Sequence, residues 1–176
     1  MRGEKMDIKP LVKRAKQGDK EALLQLIFLE KDNYYRLAFS YLKNEEDSLD
    51  VLEDMIVQLY EHINQLKKDE VFYSWSKTIL VNLCKKKLKH KSKEVPLQVD
   101  ERMTDSHEET KVQSLYVQEL LNNLNEHQKE AIQLKYFFDF DLKTIAKVTN
   151  TSLGTVKSRI HTGLQKLQQL VRSEKE

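Results

Sequence analysis

The chain has 176 residues, a length that suits one domain or two small ones. Its net charge is only +2, and its 39% hydrophobic and 33% charged residues are typical of a soluble protein with long polar helix faces. No apolar run reaches about eighteen residues and the N-terminus has no apolar signal core, so we expect a cytosolic protein without a membrane span. The single cysteine, Cys84, excludes an internal disulfide.

The first part of the chain is predicted to be helical throughout. Glycine and proline number only 4 and 2, too few for the turns that sheets need, so the sequence predicts an all-α fold. A short helix is expected over 7–17, ended by Gly18. Asp19 is placed to cap the next helix, which we expect to continue as far as Leu42. The apolar face of that helix begins with Leu23, Leu24, Ile27 and Phe28.

The strongest helical period in the chain follows a polar turn predicted over 43–47. Apolar residues recur there by three or four positions, which is helical and not strand spacing: Leu49, Leu52, Ile56, Leu59, Ile63 and Leu66. A short loop is expected over 67–70. The next helix carries Phe72, Trp75, Ile79 and Leu83 at similar spacing and continues into a run of lysines. We place Trp75 in the core and leave Phe72 open.

The helical pattern disappears over 92–113, where a proline and charges of both signs replace large apolar residues. We therefore predict two small helical domains, 1–91 and 114–176, joined by a flexible linker. In the second domain, Asn125 is placed to cap a helix and to form a capping box with Gln128.

Charge is sorted into patches along the chain. Residues 44–61 contain seven acids and no lysine or arginine, whereas 85–93 contain six lysines and no acid. Residues 155–172 carry lysine and arginine and again no acid. In a chain of almost zero net charge, such sorting indicates at least two partners of opposite sign.

Residues 142–161 have the form of a helix-turn-helix. A small residue, Ala146, stands where the second helix crosses closely over the first, and Ile145 and Val156 stand where the two helices wedge together. The turn needs a left-handed backbone at position 150. Asn150 tolerates that conformation better than most residues other than glycine.

The second helix of this motif has the character of a recognition helix. Asp141 is placed to cap the first helix and Ser152 the second. Arg159 can grip a guanine edge, and Lys157 suits a phosphate. The candidate DNA-binding residues are Ser152, Thr155, Lys157, Ser158 and Arg159. The alternative is an ordinary helical hairpin with a basic face, since such motifs also arise by chance.

The sequence at this point resembles a known family. Residues 124–171, and the phrase SLGTVKSRIHTGLQKL within them, resemble the second DNA-binding domain of bacterial RNA polymerase sigma factors of the extracytoplasmic-function (ECF) group. Residues 15–27 resemble the opening helix of sigma domain two, 44–66 its polymerase-binding helix and 72–91 its promoter-melting helix. The likeness covers nearly the whole chain, in order.

The resemblance implies a function and a set of partners. It implies an alternative sigma factor that binds core RNA polymerase, directs it to promoter DNA and helps to open that DNA. It also implies an anti-sigma factor, which can hold such a cytoplasmic protein at the membrane. It implies neither enzyme activity nor a small-molecule substrate or cofactor, and the five histidines show no ligand spacing with Cys84, so no metal is expected.

The resemblance also implies roles for residues in the first domain. The acidic helix corresponds to the helix that grips polymerase, with Asp50, Glu53 and Asp54 as candidates. The loop 67–72 corresponds to the wall of a pocket for an unpaired base of the downstream promoter element. The candidates for that element are Phe72, Asn82, Lys85, Lys86, Lys87 and Lys89. For both charged patches the alternative is a solvated face with no partner.

Some positions depart from the family pattern and leave the promoter sequence open. Glu53-Asp54 replaces a usual Gln-Glu pair, and His161 stands where arginine is frequent. Two other functions remain as alternatives. An enzyme would need a phosphate loop, nucleophile elbow or metal cluster, none of which the sequence contains. A stand-alone helix-turn-helix regulator would bind DNA specifically without polymerase.

Overall fold

The computed structural model describes residues 7–94 and 108–173, with side chains over 7–92 and 115–173. Within those residues every regular element is helical, which confirms the predicted all-α fold. The chain divides into two compact units, with the division between Glu101 and Arg102.

The first unit contains five α-helices and two short 3₁₀ turns within its described part. The turns span Ile63–Gln65 and Asp69–Val71. The helices are α1 (Lys9–Lys16), α2 (Lys20–Leu29), α3 (Lys31–Leu42), α4 (Glu45–His62) and α5 (Phe72–Glu94). Helix α5 packs against both α3 and α4, and α1 packs against α2. The core lies between these helices, and its largest fully buried side chains include Tyr34, Leu37, Met55, Leu59 and Leu80.

The helix predicted to run from Asp19 to Leu42 is in fact two helices, so this prediction was wrong. The Asp19 cap itself is confirmed, because its carboxylate accepts the Ala22 N–H at 3.1 Å. The break falls at Glu30, whose φ of −118° leaves the helical range. Glu30 is held there by Lys77 of α5, an almost fully buried lysine whose Nζ lies 3.2 Å from its carboxylate. The residue at the break between α2 and α3 is thus joined to α5 by an ion pair that the sequence does not reveal.

The helical period predicted from Leu49 to Leu66 is confirmed over α4, and Leu59, Ile63 and Leu66 are buried, but the series does not show which residues at its start face the core. Leu49 is 48% exposed, whereas Val51 and Met55 are 1% and 0% exposed. Helix α4 packs on two neighbours, α3 and α5, and the direction of those neighbours selects Ser48, Val51, Met55 and Leu59 as the inward side. Apolar spacing alone fixes the period of a helix but not which of two adjacent stripes faces the core.

Two further sequence predictions are corrected at the start and end of α5. Phe72 is fully buried and Trp75 only half-buried, with their ring centroids 6.2 Å apart. Helix α5 ends at Glu94 and α6 begins at Glu108, so both helices extend into the predicted 92–113 linker. The remaining predicted linker residues, 95–107, lie outside the described residues. The end of α5 and the start of α6 have few large apolar side chains and therefore no apolar periodicity, so the sequence pattern does not reveal that they are helical.

The second unit contains α6 (Glu108–Asn122), α7 (Glu126–Tyr136), α8 (Leu142–Val148) and α9 (Leu153–Ser173). The predicted capping box is confirmed: Asn125 Oδ1 accepts the Gln128 N–H at 2.9 Å, and Gln128 Oε1 accepts the Asn125 N–H at 3.4 Å. Helices α7 and α9 approach closely at Gly163, where an added Cβ would lie 2.7 Å from Ile132 Cδ1. Their shared core holds Leu121, Leu124 and Ile132, with Leu164 and Leu167 packed against it.

Candidate nucleic-acid and polymerase interfaces

Helices α8 and α9 form the predicted helix-turn-helix. Asn150 adopts a left-handed backbone, with φ of 51°, as the turn requires. The turn is closed by the Thr151 N–H, which donates to the Ala146 carbonyl at 2.9 Å. Ile145 and Val156 are both 0% exposed and form the wedge between the helices. The order of α8, turn and α9 therefore follows from local residues that the sequence already identified.

The beginning of α9 presents polar and cationic side chains to solvent. Ser152 Oγ accepts the Thr155 N–H at 3.0 Å, so its first role is to cap the helix. Thr155, Ser158 and Arg159 follow at spacings of three and four and share one face, whereas Lys157, two positions from both Thr155 and Arg159, lies nearly opposite them around the helix. Ser152, Thr155, Lys157 and Ser158 are exposed, and Arg159 is half-buried. This face carries no acid that would repel DNA.

Helix α8 adds two cationic residues that the sequence analysis did not select. Lys143 and Lys147 are exposed and one turn apart, so they extend from one side of the helix. The first helix of a helix-turn-helix crosses the DNA backbone, where such charges contact phosphates. In the sequence, the spacing of four between these two lysines, on the helix capped by Asp141, already indicated that they share one side of that helix.

The lysine run of α5 is divided between two faces. Asn82, Lys86 and Lys89 are exposed and share one face, since they are spaced by four and three. Lys87 and Lys91 lie on another face, toward α4. Lys87 Nζ lies 2.7 Å from Asp50 Oδ2 and 3.3 Å from Asp47 Oδ1, and Lys91 pairs with Asp47. The predicted six-residue downstream site is therefore not one continuous surface.

The Asp47 carboxylate is the centre of this α4–α5 ion cluster. Its side chain is only 10% exposed, and Asn44 caps α4 beside it by accepting the Asp47 N–H at 2.9 Å. Burial raises the pKa of the Asp47 carboxyl, but hydrogen bonds and charge from Lys91 and Lys87 outweigh burial and hold that pKa below its usual value. On the other side of the ion pair, hydrogen bonding to Asp50 raises the pKa of Lys87 above its usual value. Both lysines are thus engaged in ion pairs within the protein.

Two of the residues predicted to contact the downstream element, Phe72 and Lys85, are not fully exposed in the structure. The Phe72 ring is 0% exposed, so in this structure it cannot stack on a base, and its prediction as a direct DNA contact is corrected to a core role. Lys85 is half-buried, and its Nζ lies 5.9 Å from the centroid of the Tyr41 ring. Lys85 therefore lies between the solvent face and the α3 side of its helix.

The acidic helix α4 contains both paired and exposed acids. Asp50 pairs with Lys87 across the α4–α5 contact, although the sequence shows no counter-charge within α4 itself. Glu53 and Asp54 are exposed on the helix surface. Leu49 and Val57, which are 48% and 55% exposed, lie one turn before and one turn after Glu53. An exposed stripe that mixes apolar and acidic side chains is typical of a surface for a protein partner.

We predict that replacing Lys86 by alanine affects DNA binding, whereas replacing its neighbour Lys87 affects the stability of the first unit. Lys86→Ala removes an exposed charge, so the slope of log binding constant against log salt concentration should become shallower by about one. The unfolding temperature of the protein should not change. Lys87→Ala removes the ion-pair partner of Asp50 and one of the two lysines that pair with Asp47, so it should destabilise the first unit by about 1 kcal/mol. Salt titrations of binding and thermal unfolding of each variant measure both effects. Equal salt slopes for the two variants, with equal stability, would contradict the division of the lysine run.

The fold and the helix-turn-helix are those of a DNA-binding transcription protein. Residues 29–94 match the family model of sigma-70 region 2, and residues 114–167 match that of sigma-70 region 4. The chain is 31% identical over 154 residues to RNA polymerase sigma factor SigV of Bacillus subtilis, covering 86% of this chain and 92% of that protein. The chain belongs to the sigma-70 family, in its ECF group.

Other relatives agree with this membership, and one solved structure shows the same fold. The ECF sigma factor SigW of Bacillus subtilis is 26% identical, covering 95% of this chain and 98% of its own. The ECF sigma-E factor of Haemophilus influenzae is 28% identical, covering 89% of this chain and 91% of its own. CnrH, solved in complex with the cytosolic domain of CnrY, has the same fold, with a TM-score of 0.65 at 22% identity over 94% of this chain and 97% of its own.

Three other properties of the described residues bear on the remaining sequence predictions. No helix within 7–94 or 108–173 is long and apolar enough to span a membrane. Within the same ranges, no three His, Cys, Asp or Glu side chains come together as metal ligands. Cys84 is buried, and burial raises the pKa of its thiol to about 12, so it is a packed residue and not a reactive one.

Proposed function

We propose a division of labour between the two units of this sigma factor, which binds core RNA polymerase, directs it to specific promoters and helps to open the DNA for transcription initiation. The observation that supports this proposal most directly is that the sigma-70 region 2 model matches the first compact unit and the region 4 model matches the second. Two units that each carry a nucleic-acid surface can contact two promoter elements at once. We assign the first unit and the second unit as the two functional domains, with the connection between Glu94 and Glu108.

The second unit would read the upstream promoter element as a duplex. Thr155, Ser158 and Arg159 supply the base-reading face of α9, and Lys157, which is exposed on the other side of the helix, would supply a phosphate contact. Lys143 and Lys147 of α8 would neutralise phosphates of the same site. The role of Ser152 in this proposal is to fix the start of α9 and, through its exposed hydroxyl, to meet the backbone.

The first unit would hold the downstream element while its strands separate. Asn82, Lys86 and Lys89 form the exposed face of α5, where an amide can read a base edge and lysines can follow the backbone. Lys85 would contribute at the edge of this face. The 67–72 loop, which comes directly before α5, would form the wall of the pocket for an unpaired base.

The exposed stripe of α4 would bind core RNA polymerase. Glu53 and Asp54 supply its charge, and Leu49 and Val57 supply apolar area that a charge-only, solubilising face would not need. Asp50 would act indirectly, because its carboxylate is engaged with Lys87. A partner with a basic and partly apolar surface is what this combination fits.

The remaining assignments follow from membership of the family. Sigma factors are initiation factors, and we propose that this chain likewise has no enzymatic activity, small-molecule substrate or cofactor. CnrH was solved with CnrY, and the sigma factor RpoE of Bartonella quintana was solved with the anti-sigma factor NepR. We propose an anti-sigma factor as a partner of this chain too, and the cytoplasm as the place where it meets polymerase and DNA.

Run-off transcription with core polymerase on a genomic fragment library tests the proposed function. We expect the protein to direct transcription from a small set of fragments that share upstream and downstream elements. Footprinting of one such promoter should show specific protection only when core polymerase is present. Specific protection by the protein alone, together with no run-off product, would favour the stand-alone regulator.

Asn82→Ala is expected to slow strand opening without weakening the initial closed complex. Its amide lies on the exposed face of α5, and its proposed partner is a base that becomes accessible only after melting. Permanganate footprinting on linear duplex and on a pre-melted template measures the effect. The defect should be large on duplex and small on the pre-melted template. Equal defects on both would show that Asn82 has no special part in opening.

A further inference from the structure

Helix α1 contacts the 67–72 loop through two ion pairs that no sequence pattern indicated. Lys16 Nζ lies 2.5 Å from Asp69 Oδ1, and Lys9 Nζ lies 3.2 Å from Glu70 Oε1. The Lys16 and Asp69 side chains are only 23% and 17% exposed, whereas those of Lys9 and Glu70 are about half-exposed. The Lys16–Asp69 pair is therefore the stronger contact, because solvent screens it less.

One face of α1 carries both lysines. Lys9, Val12 and Lys16 are spaced by three and four, and Val12 between them is 0% exposed. This face packs on the segment that contains the two 3₁₀ turns. Helix α1 also packs on α2, and Arg14 Nε donates to Oδ2 of Asp19, the residue that caps α2, at 2.8 Å. The two lysines therefore reach the loop from a helix that is itself packed against the unit.

The loop needs such a support because only its ends are buried. Leu66 before it and Phe72 at its end are 5% and 0% exposed. Between them, Lys67, Lys68, Glu70 and Val71 are exposed, and the turn is closed by a 3.3 Å hydrogen bond from the Val71 N–H to the Lys68 carbonyl. A surface loop with few buried contacts samples several conformations unless specific contacts restrict it.

The ion pairs also change the charge that the loop presents. Asp69 and Glu70 would repel a nucleic-acid strand, but Lys16 and Lys9 neutralise them from the side of α1. Lys67 and Lys68 stay exposed, so the outward charge of the loop is positive. The same contacts that hold the loop therefore make it compatible with DNA.

We propose that Lys16 is a positioning residue for promoter opening: through Asp69 it holds the 67–72 loop in the conformation that receives the unpaired downstream base. Lys9 and Glu70 form a second, weaker contact. This inference rests on the proposed function, which assigns the loop to the downstream element. The further step is that Lys16 of α1, which lies 53 residues before Asp69 in the chain, affects how strongly the downstream element is recognised.

The test uses the full-length protein with core polymerase and a promoter selected by run-off transcription. The variants are Lys16→Gln, Asp69→Asn and the reversed pair Lys16→Asp with Asp69→Lys; Lys13→Gln, which changes an exposed lysine of α1, is the matched control. Two quantities are measured: the rate of open-complex formation, and binding to fork templates that carry each of the four bases at the unpaired downstream positions. Core polymerase affinity and thermal unfolding are measured alongside.

Each single variant is expected to slow opening about fivefold, the size of one partly exposed ion pair, and to flatten the base preference on fork templates. Lys13→Gln should match the wild type, and the reversed pair should restore most of the rate and the preference. A merely structural contact would lower the unfolding temperature without changing base preference. Wild-type rate and preference in Lys16→Gln, or no recovery in the reversed pair, would overturn the inference.

The wild type and Asn82→Ala separate this failure from failure of the proposed function. If the wild type opens its promoter and Asn82→Ala is slow, a normal Lys16→Gln removes only the positioning role. If the wild-type complex opens no promoter at all, the proposed function fails and the positioning role fails with it.

Discussion

Reversing the charge of Glu53 and Asp54 together, as Glu53→Lys with Asp54→Lys, is expected to weaken binding to core RNA polymerase by about a hundredfold, or roughly 2.7 kcal/mol. Both acids are exposed on α4, and Leu49 and Val57 beside them supply apolar contact area. In the complex, reversed charges would face a basic surface across a partly dry interface, where repulsion is strong. Titration with labelled core polymerase measures the affinity.

The control for this pair keeps the same change in net charge. Glu21 and Asp32 are exposed acids in the first turns of α2 and α3, and their double reversal should leave the affinity nearly unchanged. Asp50 is a poor choice, because a lysine there would stand against Lys87 and disturb the ion cluster. Undiminished binding by a folded Glu53→Lys, Asp54→Lys protein would make the acidic helix a solubilising face only.

Arg159→Ala is expected to cost about 1–3 kcal/mol of promoter binding and to relax the preference at one upstream base pair. Arg159 lies with Thr155 and Ser158 on the outward face of α9, and its half-buried stem limits the directions that the guanidinium can take. A restricted guanidinium is suited to a bidentate contact with a guanine edge. Binding of the polymerase complex to promoters with each upstream position randomised gives the base preference.

Lys157→Ala is the matched comparison, because it removes an exposed charge from the same helix outside the reading face. It should weaken all promoters about equally and lower the salt slope by about one, with the base preference unchanged. If Arg159→Ala also weakened all promoters equally, Arg159 would be a phosphate contact and the base reading would fall to other residues of α9.

Features of the fold that depend on neighbours in sequence could be predicted. Helix caps at Asp19, Asn125 and Ser152 each join groups three residues apart, and all three were identified from residue type and offset. The left-handed turn at Asn150 is equally local, since its conformation is limited by the residue itself. These short-range rules are sufficient for the helix-turn-helix, and the family resemblance is confirmed by the matches over residues 29–94 and 114–167.

Tertiary structure decided the features that depend on distant residues. Lys87 and Lys91 were assigned to DNA or solvent by their run of charge, but they meet Asp50 and Asp47 across separations of 37 and 44 residues. Which stripe of α4 is buried depends on where α3 and α5 lie, and this choice exposed Leu49 and buried Met55. A sequence states which groups carry charge or apolar area, whereas the arrangement of helices determines which of those groups are already satisfied within the protein and which remain for a partner.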